Sequence, residues 1–123
     1  MIIRGGIYRA DLAGAKGHEQ KGKARPVLVV SEDGINEQPL VVTVVIGTDA
    51  KNRTRSYSTD VRTTAAETGL PRDTVFMCFQ IRSLDASRFV TDKSAEPVLA
   101  GVMPPAKMGE VERALRRVLD LED

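Results

Sequence analysis

The chain has 123 residues, 41% hydrophobic and 28% charged, which suits one globular domain, residues 1–123, with a modest core. A formal net charge of +1 excludes a uniformly basic nucleic-acid binder but leaves room for a local basic patch. No run of 18 apolar residues offers a membrane span, the N-terminus lacks the apolar stretch of a signal peptide, and a single cysteine, Cys78, rules out an internal disulfide framework. These features fit a cytoplasmic protein.

Ile7 to Leu12 reads as a short strand, followed by a loop over 13–24 with Gly14, Gly17 and Gly22. Val27 to Val30 is β-branched and bounded by Pro26 and Ser31, a buried strand. Residues 32–39 are polar and end in Pro39, hence a connection. Leu40 to Ile46 is apolar at nearly every position, so both of its faces should be covered. Gly47 is expected to break that run, with Thr48 at its mouth and a basic loop over 49–57 beyond.

Ser58 to Arg62 suits an edge strand, Gly69-Leu70-Pro71 a turn, and Thr74 to Ile81 another buried strand. Cys78 lies inside that apolar run and reads as a small core hydrophobe. Leu84 to Arg88 is expected to form one helical turn capped by Ser83, and Pro97 argues for an edge within Phe89 to Ala100. One clear helix begins near Pro104-Pro105, where Met108, Val111, Leu115 and Val118 step along a single apolar stripe. Five or six short strands followed by one helix predict a mainly β, α+β protein: an antiparallel, barrel-like sheet with the helix packed on it.

The chemistry narrows by elimination. There is one histidine, His18, and no Cys/His cluster for zinc, no phosphate-binding P-loop motif, and no clustered carboxylates to hold Mg²⁺. Arg4, Arg9, Lys16, Lys21, Lys23 and Arg25 form one basic cluster, and Lys51, Arg53, Arg55, Arg62 and Arg72 another. If the second and third strands pair antiparallel, Arg25 at the start of one lies beside Thr48 at the end of the other. A guanidinium fork beside a hydroxyl suits a phosphate. Taken singly, Arg25 reads as well as a structural ion-pair residue, and Thr48 as a strand former or turn cap.

Together the motifs resemble the MazF/PemK toxins. Gly17-His18-Glu19-Gln20 followed by Arg25-Pro26-Val27-Leu28-Val29-Val30-Ser31 is similar to that family's signature, as are Asn36, Ile46-Gly47-Thr48, Gly69-Leu70-Pro71-Arg72-Asp73-Thr74-Val75 and Cys78-Phe79-Gln80-Ile81-Arg82-Ser83-Leu84-Asp85. The resemblance implies an SH3-like barrel, a homodimer, and the toxin of a type II toxin–antitoxin pair. It implies a sequence-specific, metal-independent endoribonuclease that cuts single-stranded RNA to 2′,3′-cyclic phosphate and 5′-hydroxyl ends, and a cognate antitoxin that covers the RNA site or the dimer groove. By the same similarity Arg25 and Thr48 are catalytic, while Gly17, His18, Glu19, Gln20 and Gln80 line the RNA groove. Arginine makes a poor base, since its ordinary pKa exceeds about 12; Glu19 is the alternate base, His18 a weaker one. The loop is one residue longer than in most members, with Lys21-Gly22-Lys23-Ala24 between Gln20 and Arg25. The alternative is a non-enzymatic toxin of the CcdB type, which shares the fold and binds DNA gyrase. A peptide-binding adaptor barrel is a third reading, disfavoured by an aromatic content of only 4%.

Overall fold

The computed structural model describes residues 1–37 and 41–121. Among these, six strands form one antiparallel sheet: β1 (Gly6–Ala10), β2 (Arg25–Val29), β3 (Val41–Asp49), β4 (Asp60–Thr63), β5 (Thr74–Asp85) and β6 (Gly101–Val102). Their order is β4-β5-β3-β2-β1-β6, so β4 and β6 are the edges of a curled half-barrel. The helices are α1 (Asp33–Asn36), α2 (Ala65–Thr68) and α3 (Pro105–Val118).

The strands bury both faces, as the apolar runs require. Along β2 and β3, Val27, Val29, Val42, Val44 and Ile46 pack with Tyr8, Leu12, Leu84 and Phe89 inside the curl. The intervening Leu28 and Val45 point the other way, into a layer with Phe76, Val61 and Leu70. The α3 helix closes that second layer: Val111 and Ala114 are buried, with Met108, Leu115 and Val118 packed beside them. Full burial of a side chain such as Val111 contributes roughly 1.5–3 kcal/mol. Pro105 occupies the first turn of α3, where its missing N–H costs nothing.

Several expectations need correction. Gly47 does not end the third strand, which runs on to Asp49. A Cβ at Gly47 would lie 3.0 Å from the Phe76 ring, so the glycine makes room for close packing rather than a break. The start expected at Leu40, and Pro39 before it, lie outside the described residues. The connection after β2 contains α1, and the segment Thr63 to Asp73, read only for its Gly69-Leu70-Pro71 turn, contains α2 just before that turn. That helix is marked by a capping box between Thr64 and Glu67 and by Gly69 in the left-handed region at its end. The helical turn after β5 spans Ala86–Arg88, and Asp85, not Ser83, caps it by accepting from the Ser87 N–H. Pro97 does sit at an edge, bridged to Thr91.

Candidate active site

Val27 pairs with Ile46 and Leu28 with Val45, so carrying this antiparallel register two residues further puts Arg25 opposite Thr48. Arg25, Val27 and Val29 share a face, as do Val44, Ile46 and Thr48; the two polar residues finish an apolar row at the mouth of the curl. Arg25 Nη2 donates to Thr48 Oγ1 at 3.3 Å. Thr48 is only 4% exposed. Because its oxygen accepts from Arg25, the hydroxyl proton stays free to be donated elsewhere. Arg25 Nε is buried and meets no acceptor among the described residues, a donor that an anion would satisfy.

Arg25 lines a cavity of about 200 Å³ with Arg9, Arg72, Asp49 and Thr74. The two basic clusters thus meet here in part. Arg72 stands 3.7 Å from Asp49, and Arg9 Nη1 donates to the Ala24 carbonyl beside the strand entrance. Other members of the clusters are used structurally: Arg4 pairs with Glu112 at 2.6 Å, and Arg53 makes a two-pronged pair with Asp60 at 2.7 and 3.0 Å.

The loop between β1 and β2 is tied at its neck. Leu12 N–H donates to the Gly22 carbonyl at 2.7 Å, and Arg88 Nη1 donates to the carbonyls of Asp11 and Ala13. Gly22 has φ +131°, and a Cβ there would stand 2.8 Å from Arg25 Cδ. Only glycine lets the returning loop lie along the arginine stem. Sequence reasoning missed this role, although three glycines in the loop signalled unusual backbone.

At its tip the loop is held by Gln80. The Gln80 Oε1 accepts from the Gln20 N–H at 2.8 Å, and Gln80 Nε2 donates to the His18 carbonyl at 3.4 Å. The Glu19 carboxylate accepts from the Lys16 N–H at 2.5 Å, inside its own loop. His18, Glu19, Gln80 and Arg82 line a second cavity with Phe79 and Ile81. The expected site residues therefore fall into two sets: Arg25 with Thr48, and the 17–20 loop with Gln80. Glu19 lines the second cavity and not the one that holds Arg25.

A bulge in β5 aims Gln80. Val45 pairs with Ile81 but the next residue, Ile46, pairs with Met77, leaving Cys78, Phe79 and Gln80 extra on β5. Such bulges bend a strand and re-aim its side chains. Cys78 stays inside, its N–H donating to the Thr59 carbonyl, and burial pushes its thiol up to about 12, with the Asp60 charge adding to the effect. It is a core residue, not a nucleophile. Phe79 turns out to solvent. Its place in an apolar run pointed inward, and no local sequence signal marks the bulge. Among the described residues, no three of His, Cys, Asp and Glu gather as metal ligands, and no helix is long and apolar enough to cross a membrane.

Residues 3–119 match the family described as PemK-like, MazF-like toxin of type II toxin–antitoxin system. The chain belongs to this family. It is 36% identical to the endoribonuclease MazF2 of Mycobacterium bovis over 121 residues, covering 98% of this chain and 99% of that protein. It is 33% identical to the endoribonuclease EndoA of Bacillus subtilis over 123 residues, 100% of this chain and 98% of the relative. The fold is that of MazF from Deinococcus radiodurans, with a TM-score of 0.76, 24% identity, and 97% and 96% of the two chains covered. It is equally that of a mycobacterial endoribonuclease solved in complex with its cognate antitoxin, with a TM-score of 0.75, 24% identity, and 100% and 99% covered. The resemblance carried by the motifs and the expected barrel-like sheet with a C-terminal helix both hold at full length.

Proposed function

We propose that this MazF-family toxin cleaves single-stranded messenger RNA without a metal ion, acting as one domain over residues 1–123, and that Arg25 and Thr48 carry the reaction. The Arg25–Thr48 hydrogen bond at the mouth of the curl is the observation that supports it. In the reaction the ribose 2′-oxygen loses its proton and attacks phosphorus. The bond from phosphorus to the 5′-oxygen breaks, and that oxygen takes up a proton. The ends are a 2′,3′-cyclic phosphate and a 5′-hydroxyl. Arg25 offers its unmet Nε donor and its remaining N–H groups to the charge that builds on the phosphorane. Thr48 orients the guanidinium and donates a hydrogen bond from its free hydroxyl to a phosphate oxygen. Arg9 and Arg72 add positive charge where the RNA backbone enters.

For the base, the family resemblance names Arg25, with Glu19 as the alternate, a carboxylate that lines the neighbouring cavity. Gly17, His18, Glu19, Gln20 and Gln80 line the groove that reads the sequence, since bases of unpaired RNA are recognised at their exposed edges. The active form is a homodimer, and a cognate antitoxin inhibits it by covering the RNA site or the dimer groove. Val98, Leu99 and Val102, exposed along the β6 edge, supply apolar surface for the second copy. A cytoplasmic setting, with a reduced Cys78, belongs to the same reading.

Cleavage of a single-stranded transcript in EDTA tests the proposal. Wild-type protein should cut and leave 5′-hydroxyl ends. Arg25→Ala should abolish cutting, and Thr48→Ala should slow it on the order of 10²–10³-fold. Loss of activity in EDTA, undiminished activity in both variants, or inhibition of gyrase with RNA left intact would overturn the assignment. Glu19→Gln separates the bases: retention of full activity leaves the role with Arg25.

A further inference from the structure

The chain holds five aromatic residues and no tryptophan. Tyr8, Phe76 and Phe89 are in the core, while Phe79 is 49% exposed and Tyr57 47%. These two exposed rings share one cation. The Arg53 guanidinium lies 4.5 Å from the Tyr57 ring centre and 5.4 Å from that of Phe79. Arg53 is itself fixed edge-on by the two-pronged pair with Asp60, whose side chain is 2% exposed. Around it, Arg62 donates to the Arg53 carbonyl and to Ser56 Oγ, which holds the 53–57 loop in place.

A solvent-exposed phenylalanine is ordinarily a cost, and here the β5 bulge puts it outside the sheet. It is then held against a braced arginine. The same bulge presents Gln80, which grips the 17–20 loop, and Phe79 and Gln80 line one cavity with His18, Glu19 and Arg82. Arg82 Nη1 in this cavity is buried and meets no acceptor among the described residues. Thr48 pairs with Val75 and Ile46 with Met77, so the bulge that carries Phe79 begins two residues, about 7 Å, along the sheet from the Arg25–Thr48 pair. One or two nucleotides of extended RNA span that distance.

We infer that Phe79, set against the Arg53 guanidinium that it shares with Tyr57, is a platform for an unpaired base of the RNA strand near the scissile phosphate. The inference rests on the ribonuclease reading and adds a specificity-determining residue to it. An aromatic face accepts any base that is free to unstack, and a neighbouring guanidinium strengthens the contact. The cavity beside it, with the Gln80 amide and the Arg82 donors, is where the edge of that base would be read. A protein segment such as the antitoxin is the competing occupant, and the experiment separates the two.

Because the chain has no tryptophan, Phe79→Trp installs a single fluorescent reporter at the platform. The probe is a randomised single-stranded RNA pool, 2′-O-methylated so that it cannot be cut, with a duplex of the same length as control. The expected result is saturable quenching by the single strand and none by the duplex, whose bases are already stacked. In parallel, Phe79→Ala should lower kcat/KM on unmodified RNA roughly 5- to 150-fold, chiefly through KM, with Phe79→Trp restoring it. Absence of quenching, equal quenching by duplex, quenching by the antitoxin alone, or an unchanged Phe79→Ala enzyme would overturn the platform. If the wild type cuts no RNA, the proposed activity fails, while the fluorescence still decides the platform.

Discussion

Arg25 works in a position that its neighbours define closely. Its stem lies under Gly22, its tip is bonded to Thr48, and the buried part of β2 begins two residues on, at Val27. Gly22→Ala should therefore act on the reaction as well as on folding. The new methyl would displace the arginine stem, and a misplacement of about 1 Å can cost on the order of 10²-fold in rate. Alanine at a φ of +131° also strains the backbone, so the expected outcome is a kcat reduced by that order together with a lower Tm, checked by cleavage kinetics beside thermal unfolding. A kcat within two-fold of wild type would show that the loop yields instead. At this scale the sequence was legible wherever strand pairing decides neighbours: Arg25 and Thr48 are 23 residues apart, yet the two apolar runs put them together. Gly22 was not legible, because its role lies in a φ of +131° and in contact with a side chain three residues on. Glycine in a loop announces freedom, not what the freedom is for.

Among the elements, the long apolar strands and α3 were readable because each buries a regular stripe or face. The short helices were not. α1 and α2 have four residues each, too few for periodicity to show, and they are held by local bonds. In α2 the Thr64 side chain accepts from the Glu67 N–H, while Glu67 returns a bond to the Thr64 N–H at 2.7 Å. The Asp73 carboxylate also accepts from the Ala65 N–H, tying α2 to the start of β5. Thr64→Ala should destabilise the fold by about 1 kcal/mol, the ordinary worth of a helix N-cap, read as a lower urea midpoint with an unchanged slope. An unchanged midpoint would mean that Asp73 holds the helix alone. The β5 bulge was hidden for a different reason. Cys78, Phe79 and Gln80 are three consecutive residues whose extra length appears only when the partner strand is placed beside them.

Over the whole molecule, the half-barrel leaves two unlike edges. β4 carries Arg62 and adjoins the Arg53 cluster, while β6 is two residues long and flanked by exposed Val98, Leu99 and Val102. Short edge strands guard against open-ended pairing, yet this one adjoins apolar surface, which suits a closed two-fold contact. Sedimentation should give twice the chain mass, and Val102→Asp should give the monomer. Addition of the antitoxin should raise the mass and stop cleavage together. A wild-type monomer that still cuts RNA would remove the second copy from the proposal.

The tie at the neck of the 11–24 loop also bears on how such a protein diversifies. Leu12 and Gly22 close the loop before it reaches Arg25, and Arg88 clamps the neck on either side of Leu12. Everything between is a pendant whose length is uncoupled from the reaction centre, and lengthening a closed loop by a residue costs only a small closure entropy. Lys21 lies in that pendant, Gly22 forms the neck, and Lys23 and Ala24 follow it toward Arg25. On the proposed reading, tip residues other than Glu19 can thus be exchanged while the Arg25–Thr48 pair stays in place, so one scaffold can be re-addressed to a new RNA without rebuilding that pair.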